Sequence, residues 1–261
     1  MRRTEREALA LGLLHGPVEL MPVSSSGHVT ALPWLLRWEV AGWDGDRRKE
    51  LEVALHGGAA AALLLVARPE QVRVGLLAAA VLPPAIAGLA FERRIETRLG
   101  TPGTLAAGLL AGAAALVLAD RVPAHRPARE AGLADGLMLG LAQASALVPG
   151  VSRNGATLAA ARARGFGRAD ASRLSWEVAL PVLLGAGALK GVRACDRARA
   201  RPMARSEPLA PLLVAAGAAF ASTLATARAV GIERRAPLWP WAAWRAGLAG
   251  TILAVRHNRR R

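Results

Sequence analysis

Two short polar strings stand inside otherwise oily stretches of the chain: Pro22-Val23-Ser24-Ser25-Ser26-Gly27-His28 and Pro149-Gly150-Val151-Ser152-Arg153-Asn154-Gly155. Hydroxyls, an imidazole and a guanidinium are expensive in apolar surroundings unless they are paired or used. Glu19 precedes the first string and adds a carboxylate. Carboxylate, hydroxyls, imidazole and a fixed cation are the groups that hold and cleave a phosphate ester. Glu19 can serve as general base, as metal ligand, or as the group that orients His28. Ser24, Ser25 and Ser26 ahead of Gly27 can form a concave nest of N–H donors for an anion, or simply bond to backbone around a turn. One of these hydroxyls is a nucleophile if His28 or Glu19 lies within hydrogen-bond reach, and Ser25 is the preferred candidate. Arg153 is the strongest single clue, because its planar fork suits phosphate. Gly150 and Gly155 let a ligand approach the backbone there, and Ser152, Asn154 and Thr157 add donors. The alternative for Arg153 is a structural ion pair with Glu19.

Groups of this kind need a scaffold that holds them in an apolar medium. Hydrophobic residues make up 53% of the 261, and the mean hydropathy is +0.28. Uncharged runs at 74–91, 102–119 and 208–227 approach the roughly 20 residues that cross a bilayer core. Shorter or single-charge blocks lie at 53–67, 174–189 and 238–255, and the two polar strings lie within 8–36 and 133–161. The runs are apolar all round, whereas a soluble helix keeps a polar face at helical period. The fold class expected is all-α: a polytopic helical membrane protein. With no low-complexity linker, residues 1–261 read as one integral membrane domain.

Each string-bearing segment is followed by three apolar spans, giving a first repeat over about 8–119 and a second over about 133–255. Two halves that each open on a Pro/Gly-broken segment fit an inverted-repeat plan, in which broken helices meet near the middle and build the site. Pro22, Gly27, Pro149, Gly150 and Gly155 then mark re-entrant helix hairpins, since irregular backbone at membrane depth survives only when buried in protein or lining a wet cavity. Ordinary proline kinks in spanning helices are the alternative.

The net charge of +15 does not point to nucleic acid. Lys49 and Lys190 are the only lysines, there is no tyrosine, and the arginines are spread over nearly every loop. Contact with anionic lipid head groups is the expected consequence, and basic residues at both ends of most spans give no orientation. Cys195 is the single cysteine, which excludes an intrachain disulfide or a thiolate metal site. The first apolar stretch carries Glu19, the serines and His28, unlike a cleaved signal peptide, so it is expected to be retained. His125 and His257 lie in basic segments and read as solvated, while His15 and His56 lie in apolar blocks where backbone carbonyls can satisfy them. HExxH, CxxC, Walker and GxSxG patterns do not occur, leaving zinc-protease, P-loop and hydrolase-elbow chemistry without support.

At these residues the chain resembles the undecaprenyl-diphosphate phosphatase family, the bacitracin-resistance type of membrane phosphatase. The matching strings are Gly16-Pro17-Val18-Glu19-Leu20-Met21-Pro22-Val23-Ser24-Ser25-Ser26-Gly27-His28 and Pro149-Gly150-Val151-Ser152-Arg153-Asn154-Gly155-Ala156-Thr157. Further likeness lies in Glu52-Val53-Ala54-Leu55-His56-Gly57-Gly58, where the family usually has Gln at His56, in Pro84-Ala85-Ile86-Ala87-Gly88, in Ser175 to Pro181, and in Trp244-Arg245-Ala246-Gly247. The resemblance implies two inverted repeats with re-entrant hairpins. It also implies hydrolysis of a polyprenyl diphosphate to the monophosphate at the outer face of the bacterial cytoplasmic membrane, which recycles the lipid carrier for cell-wall synthesis. It implies a divalent cation, Mg²⁺ or Ca²⁺, held partly by Glu19. Glu19, Ser25, His28 and Arg153 take the catalytic positions. Ser24, Ser26, Gly27, Ser152, Asn154, Gly155 and Thr157 are the expected phosphate contacts.

Two departures matter. His15 stands where the family has its first glutamate, with Pro17 following, and Asn154 replaces the family's second serine. One carboxylate fewer weakens a site for hard, oxygen-loving ions. His15, four residues before Glu19, can act as a proton donor or shift the metal preference toward imidazole-tolerant ions. The rival reading is transport, with a lipid-carrier flippase or anion transporter using the same strings only to bind. A third is a structural or regulatory membrane protein whose site has decayed.

Overall fold

The computed structural model describes residues 1–66, 73–200, 208–229 and 236–259. Of the loop arginines, the side chains of the basic tract 193–205 and of Arg93, Arg94, Arg260 and Arg261 lie outside the described residues. Among the described residues the chain is all-helical: α1 (Arg3–Leu20), α2 (Ser25–Leu36), α3 (Gly45–Val66), α4 (Val74–Leu99), α5 (Pro102–Asp120), α6 (Leu133–Ser145), α7 (Arg153–Ala163), α8 (Arg168–Ala200), α9 (Ala210–Ala229) and α10 (Trp239–Asn258). Short 3-10 turns lie at Glu39–Gly42 and Ala128–Glu130.

Three of these helices, α4, α5 and α9, are long and apolar enough to cross a membrane. Their apolar side chains are not all internal: Val74, Leu82, Ile86, Leu89, Leu118 and Leu213 are exposed, a distribution that suits lipid rather than water as the outer solvent. Each apolar run became one helix because a run of this length in lipid must satisfy every backbone group within itself. Both string-bearing segments are broken into two helices. Residues 21–24 separate α1 from α2, and 146–152 separate α6 from α7, so these are full interruptions rather than kinks. Pro17, by contrast, stays inside α1 without ending it.

Two compact units are interleaved along the chain. The first is Met1–Pro17, Leu32–Ala67 and Leu183–Ala229; the second is Val18–Ala31, Arg68–Val182 and Val230–Arg261. In the first unit α3 packs along α9. A Cβ at Gly58 would collide with the Ala216 carbonyl, and one at Gly12 would come within 2.6 Å of the Ala215 carbonyl, so small residues let these backbones approach, as is usual between membrane helices. The Glu7 carboxylate accepts N–H bonds from Glu39 and Val40, both 3.1 Å, and fixes the 3-10 turn.

In the second unit α4 packs on α6, α10 on α5, and α7 on both α5 and α6. Its core gathers Leu76, Leu116, Leu139, Leu158, Phe166, Leu174, Val178 and Leu238. The connections at one end are stapled by arginines. Asp120 takes Arg168 at 2.8 and 2.9 Å and the Leu238 N–H at 3.2 Å. Arg162 donates to the carbonyls of Asp120 and Val122 at 3.1 and 2.6 Å and to that of Phe166. Arg126 grips Asp135 with two bonds, 3.0 and 2.9 Å, and Arg164 adds a third at 2.8 Å. Arg162, Arg164 and Arg168 thus bond carbonyls and carboxylates of the chain itself.

Burial alone would raise the Asp135 carboxyl, but hydrogen bonds from Arg126, the Gly132 N–H and Arg164 outweigh it and hold the group at about 2, against an ordinary 3.8. A depressed folded-state value means that its stabilisation is complete above pH 3.8 and is lost as pH falls toward 2. Asp135→Asn is therefore expected to lose about 3 kcal/mol at neutral pH, the typical cost of breaking a buried pair on one side. It should also flatten the acid limb of thermal unfolding measured in detergent.

Candidate active site

Glu19, Ser24, His28, Ser152, Arg153 and Arg245 all belong to the second unit. Pro22 ends the α1 path because it offers no N–H, and the chain turns with the Val23 N–H on the Met21 carbonyl at 2.8 Å. Ser24 then adopts φ +76° and caps α2, its Oγ accepting the Gly27 N–H at 3.2 Å. The second break repeats the device. Gly150 turns at φ +95°, Ser152 adopts φ +61°, and its Oγ accepts the Gly155 N–H at 3.2 Å. Two non-glycine residues in the left-handed region, each at a cost of order 1 kcal/mol or more, are the kind of strain that collects at functional sites. What each strained serine achieves is a helix that starts abruptly, with its first N–H groups and positive dipole end directed into the break. Such starts bind phosphate.

The two breaks meet. Arg153, the first residue of α7, donates through Nη2 to Glu19 Oε1 at 2.9 Å, with both side chains largely buried. Asn154 donates Nδ2–H to the Leu20 carbonyl at 2.7 Å. Arg245 of α10, 0% exposed, donates to the carbonyls of Gly150 and Val151 at 2.9 Å each, and to those of Pro22 and Gly108 at 3.4 and 3.5 Å. One guanidinium thus holds both turns. Glycines make its room: a Cβ at Gly155 would lie 2.6 Å from Arg245 Nη1, and one at Gly112 would collide with its Nη2.

His28 is buried at the foot of α2. Its Nδ1 lies 2.7 Å from the Ser24 carbonyl, and Trp244 donates its indole N–H to Nε2 at 2.9 Å. A carbonyl can only accept and an indole can only donate, so the ring is the Nδ1–H tautomer with Nε2 as acceptor. The Trp244 ring stacks on it, 6.2 Å between centroids, while remaining 60% exposed. Nε2 carries the ring's lone pair, and the Trp244 indole N–H bonds to it.

The remaining sequence candidates divide. Ser25 opens α2 and is partly exposed; Ser26 Oγ is 3.4 Å from Ser24 Oγ. Asn154 and Thr157 bond within the protein. The Asn154 Oδ1 accepts from Ser175 at 2.8 Å, and Thr157, fully buried, shares its hydroxyl with Ser175 Oγ at 2.5 Å and the Arg153 carbonyl at 3.0 Å. Both knit α7 to α8 and Leu20, because a buried amide or hydroxyl must satisfy itself within the protein. These bonds hold the start of α7, where Arg153 stands. Trp244, Arg245 and Ser175 were given no role from sequence, although one arginine inside the apolar block 238–255 was a signal that something there needed a cation.

His15, one turn before Glu19 on α1, is fully buried and lies within the first unit against His56. Within the second unit, Glu19 offers a carboxylate of the kind that the expected Mg²⁺ or Ca²⁺ takes as ligand, its Oε1 also accepting from Arg153.

The model for the bacitracin resistance protein BacA matches residues 8–251. Among relatives, the undecaprenyl-diphosphatase of Geobacter sulfurreducens is 35% identical over 95% of this chain and 96% of its own length. That of Pelotomaculum thermopropionicum is 36% identical over 70% of this chain and 74% of its own. That of Pelobacter propionicus is 30% identical over 95% and 96%. With the match running through both serine-capped breaks and on to Arg245, the chain belongs to the BacA family of bacitracin resistance proteins.

Proposed function

We propose that this protein hydrolyses undecaprenyl diphosphate to the monophosphate and inorganic phosphate, returning the lipid carrier to cell-wall synthesis. Family membership and the names of its relatives support the reaction. The observation that carries it to particular atoms is the Arg153–Glu19 pair set between two serine-capped helix starts. A guanidinium has five N–H donors; Glu19 takes one, and the others can meet non-bridging oxygens of the terminal phosphoryl group. The starts of α2 and α7 add N–H groups and dipole charge where negative charge builds as the bridging P–O bond breaks.

The attacking oxygen comes from water or from Ser25, with its proton accepted by Glu19 or by His28 Nε2 once Trp244 moves aside. The leaving lipid phosphate stays in the bilayer, which gives a phosphatase reason to be embedded there. The Ser24 and Ser152 oxygens cap their helices, leaving the Ser152 proton, and one proton of the Ser24–Ser26 pair that bonds at 3.4 Å, for the phosphate. On this reading the protein works in the bacterial cytoplasmic membrane with this site opening outward.

Purified protein in detergent, given a long-chain prenyl diphosphate, should release inorganic phosphate and leave the monophosphate. Movement of labelled prenyl phosphate across liposomes without hydrolysis would overturn the reading in favour of transport. A rapid quench separates the two attack routes: a phosphorylated Ser25 shows direct attack by serine, and its absence with turnover intact shows water.

A further inference from the structure

The His28 ring is held at both ends. We propose that Trp244 is a positioning residue for the hydrolysis, acting through His28: it fixes which ring nitrogen carries the proton and where the ring stands. This rests on the reaction proposed above. The Ser24 carbonyl accepts twice from His28, from the backbone N–H at 3.2 Å and from Nδ1, 2.7 Å away. That anchor lies within one turn of α2 and leaves the far edge of the ring unsupported. Support comes from α10, where Trp244 donates its indole N–H to Nε2 at 2.9 Å with the two rings 18° from parallel. His28 and Trp244 belong to the same compact unit.

The tautomer held in this way is the one a neutral histidine in water disfavours. With the proton on Nε2 instead, the Nδ1 lone pair would face the Ser24 carbonyl oxygen at 2.7 Å, and two N–H groups would meet at 2.9 Å. Both contacts would turn repulsive, and a ring only 2% exposed has little water to relieve them. Trp244 gains no obligatory partner from this bond. At 60% exposure, its N–H could be satisfied in head groups or water, as interfacial tryptophans usually are. What the bond changes is His28, left with Nε2 as its one basic atom and with its ring braced against the strained start of α2. The next residue, Arg245, turns the other way to the carbonyls of both breaks. Adjacent residues of α10 thus secure the first break and the histidine beside it.

Trp244→Phe keeps an aromatic ring beside His28 and deletes the donor. It should lower kcat by about 10²-fold with KM little changed, the order lost when a reacting group is misplaced by an ångström. Selective ¹⁵N-histidine labelling reads the ring itself, the His28 signals being those absent from His28→Asn. Wild-type protein should show a protonated Nδ1 and a hydrogen-bonded, unprotonated Nε2, and Trp244→Phe should show Nε2–H as well. In a His28→Asn background, Trp244→Phe should cost no further turnover, because the route through His28 is already gone. Elution profile and helical circular dichroism check that the variants fold. An unmoved tautomer or an unmoved kcat in Trp244→Phe overturns the proposal. So does a raised KM with kcat intact, which would make Trp244 a contact for the prenyl chain, or an equal second loss on top of His28→Asn. Wild-type protein that releases no phosphate sinks the hydrolysis itself, whatever the ¹⁵N spectrum shows.

Discussion

Arg153→Ala is expected to reduce phosphate release from a prenyl diphosphate by at least 10²–10³-fold, the size of loss seen when one preorganised donor to a developing charge is removed. Arg153→Lys should recover little of it, because an ammonium cannot bond Glu19 and a phosphoryl oxygen with the same flat fork. The structural alternative is that Arg153 only neutralises Glu19, since the two are joined at 2.9 Å in a largely buried setting. Removing one partner of such a pair destabilises by about 3–5 kcal/mol because the other charge is stranded. The double variant Arg153→Ala/Glu19→Gln separates the roles. It removes the stranded charge and should recover thermal stability, while activity stays lost. Recovery of both stability and activity in the double variant would mean that Arg153 has no contact with substrate.

The second large effect is at Arg245. Arg245→Met is expected to abolish activity and to lower stability by several kcal/mol, at about 1–3 kcal/mol for each buried carbonyl left without a donor. The carbonyls concerned are those of Pro22, Gly108, Gly150 and Val151. Lysine is no substitute, since one ammonium cannot reach both turns. Gly155→Ala tests the same contact from the other side: its Cβ would stand 2.6 Å from Arg245 Nη1, and the loss should appear as a lower kcat with the protein still folded. An Arg245→Met protein with normal turnover would show that the turns hold themselves.

The helices were legible in the sequence because lipid leaves a twenty-residue apolar run little choice. The run 208–227 is realised as Ala210–Ala229, and the block 238–255 as Trp239–Asn258. The two breaks were legible for a related reason, since proline and glycine beside serine cannot continue a helix there. The direction in which each polar side chain turns was not. Asn154 and Thr157 have the chemistry of phosphate ligands, yet Ser175, 18 residues beyond Thr157, draws them inward. That contact depends on how α7 lies on α8, which no local pattern encodes. Arg245 was obscured in the same way, because its partners lie 94 to 223 residues away in the chain. The ion pair between Arg153 and Glu19, offered from sequence as the rival to phosphate binding, is formed, and the guanidinium's remaining donors make the two roles compatible.

The reach of Arg245 also bears on biosynthesis. Its guanidinium arrives on α10, after both turns it secures have been made. A nascent chain that has already made Glu19, His28 and Arg153 therefore lacks the tie between its two serine-capped turns. Catalytic competence comes only with the helix synthesised after every other part of the site.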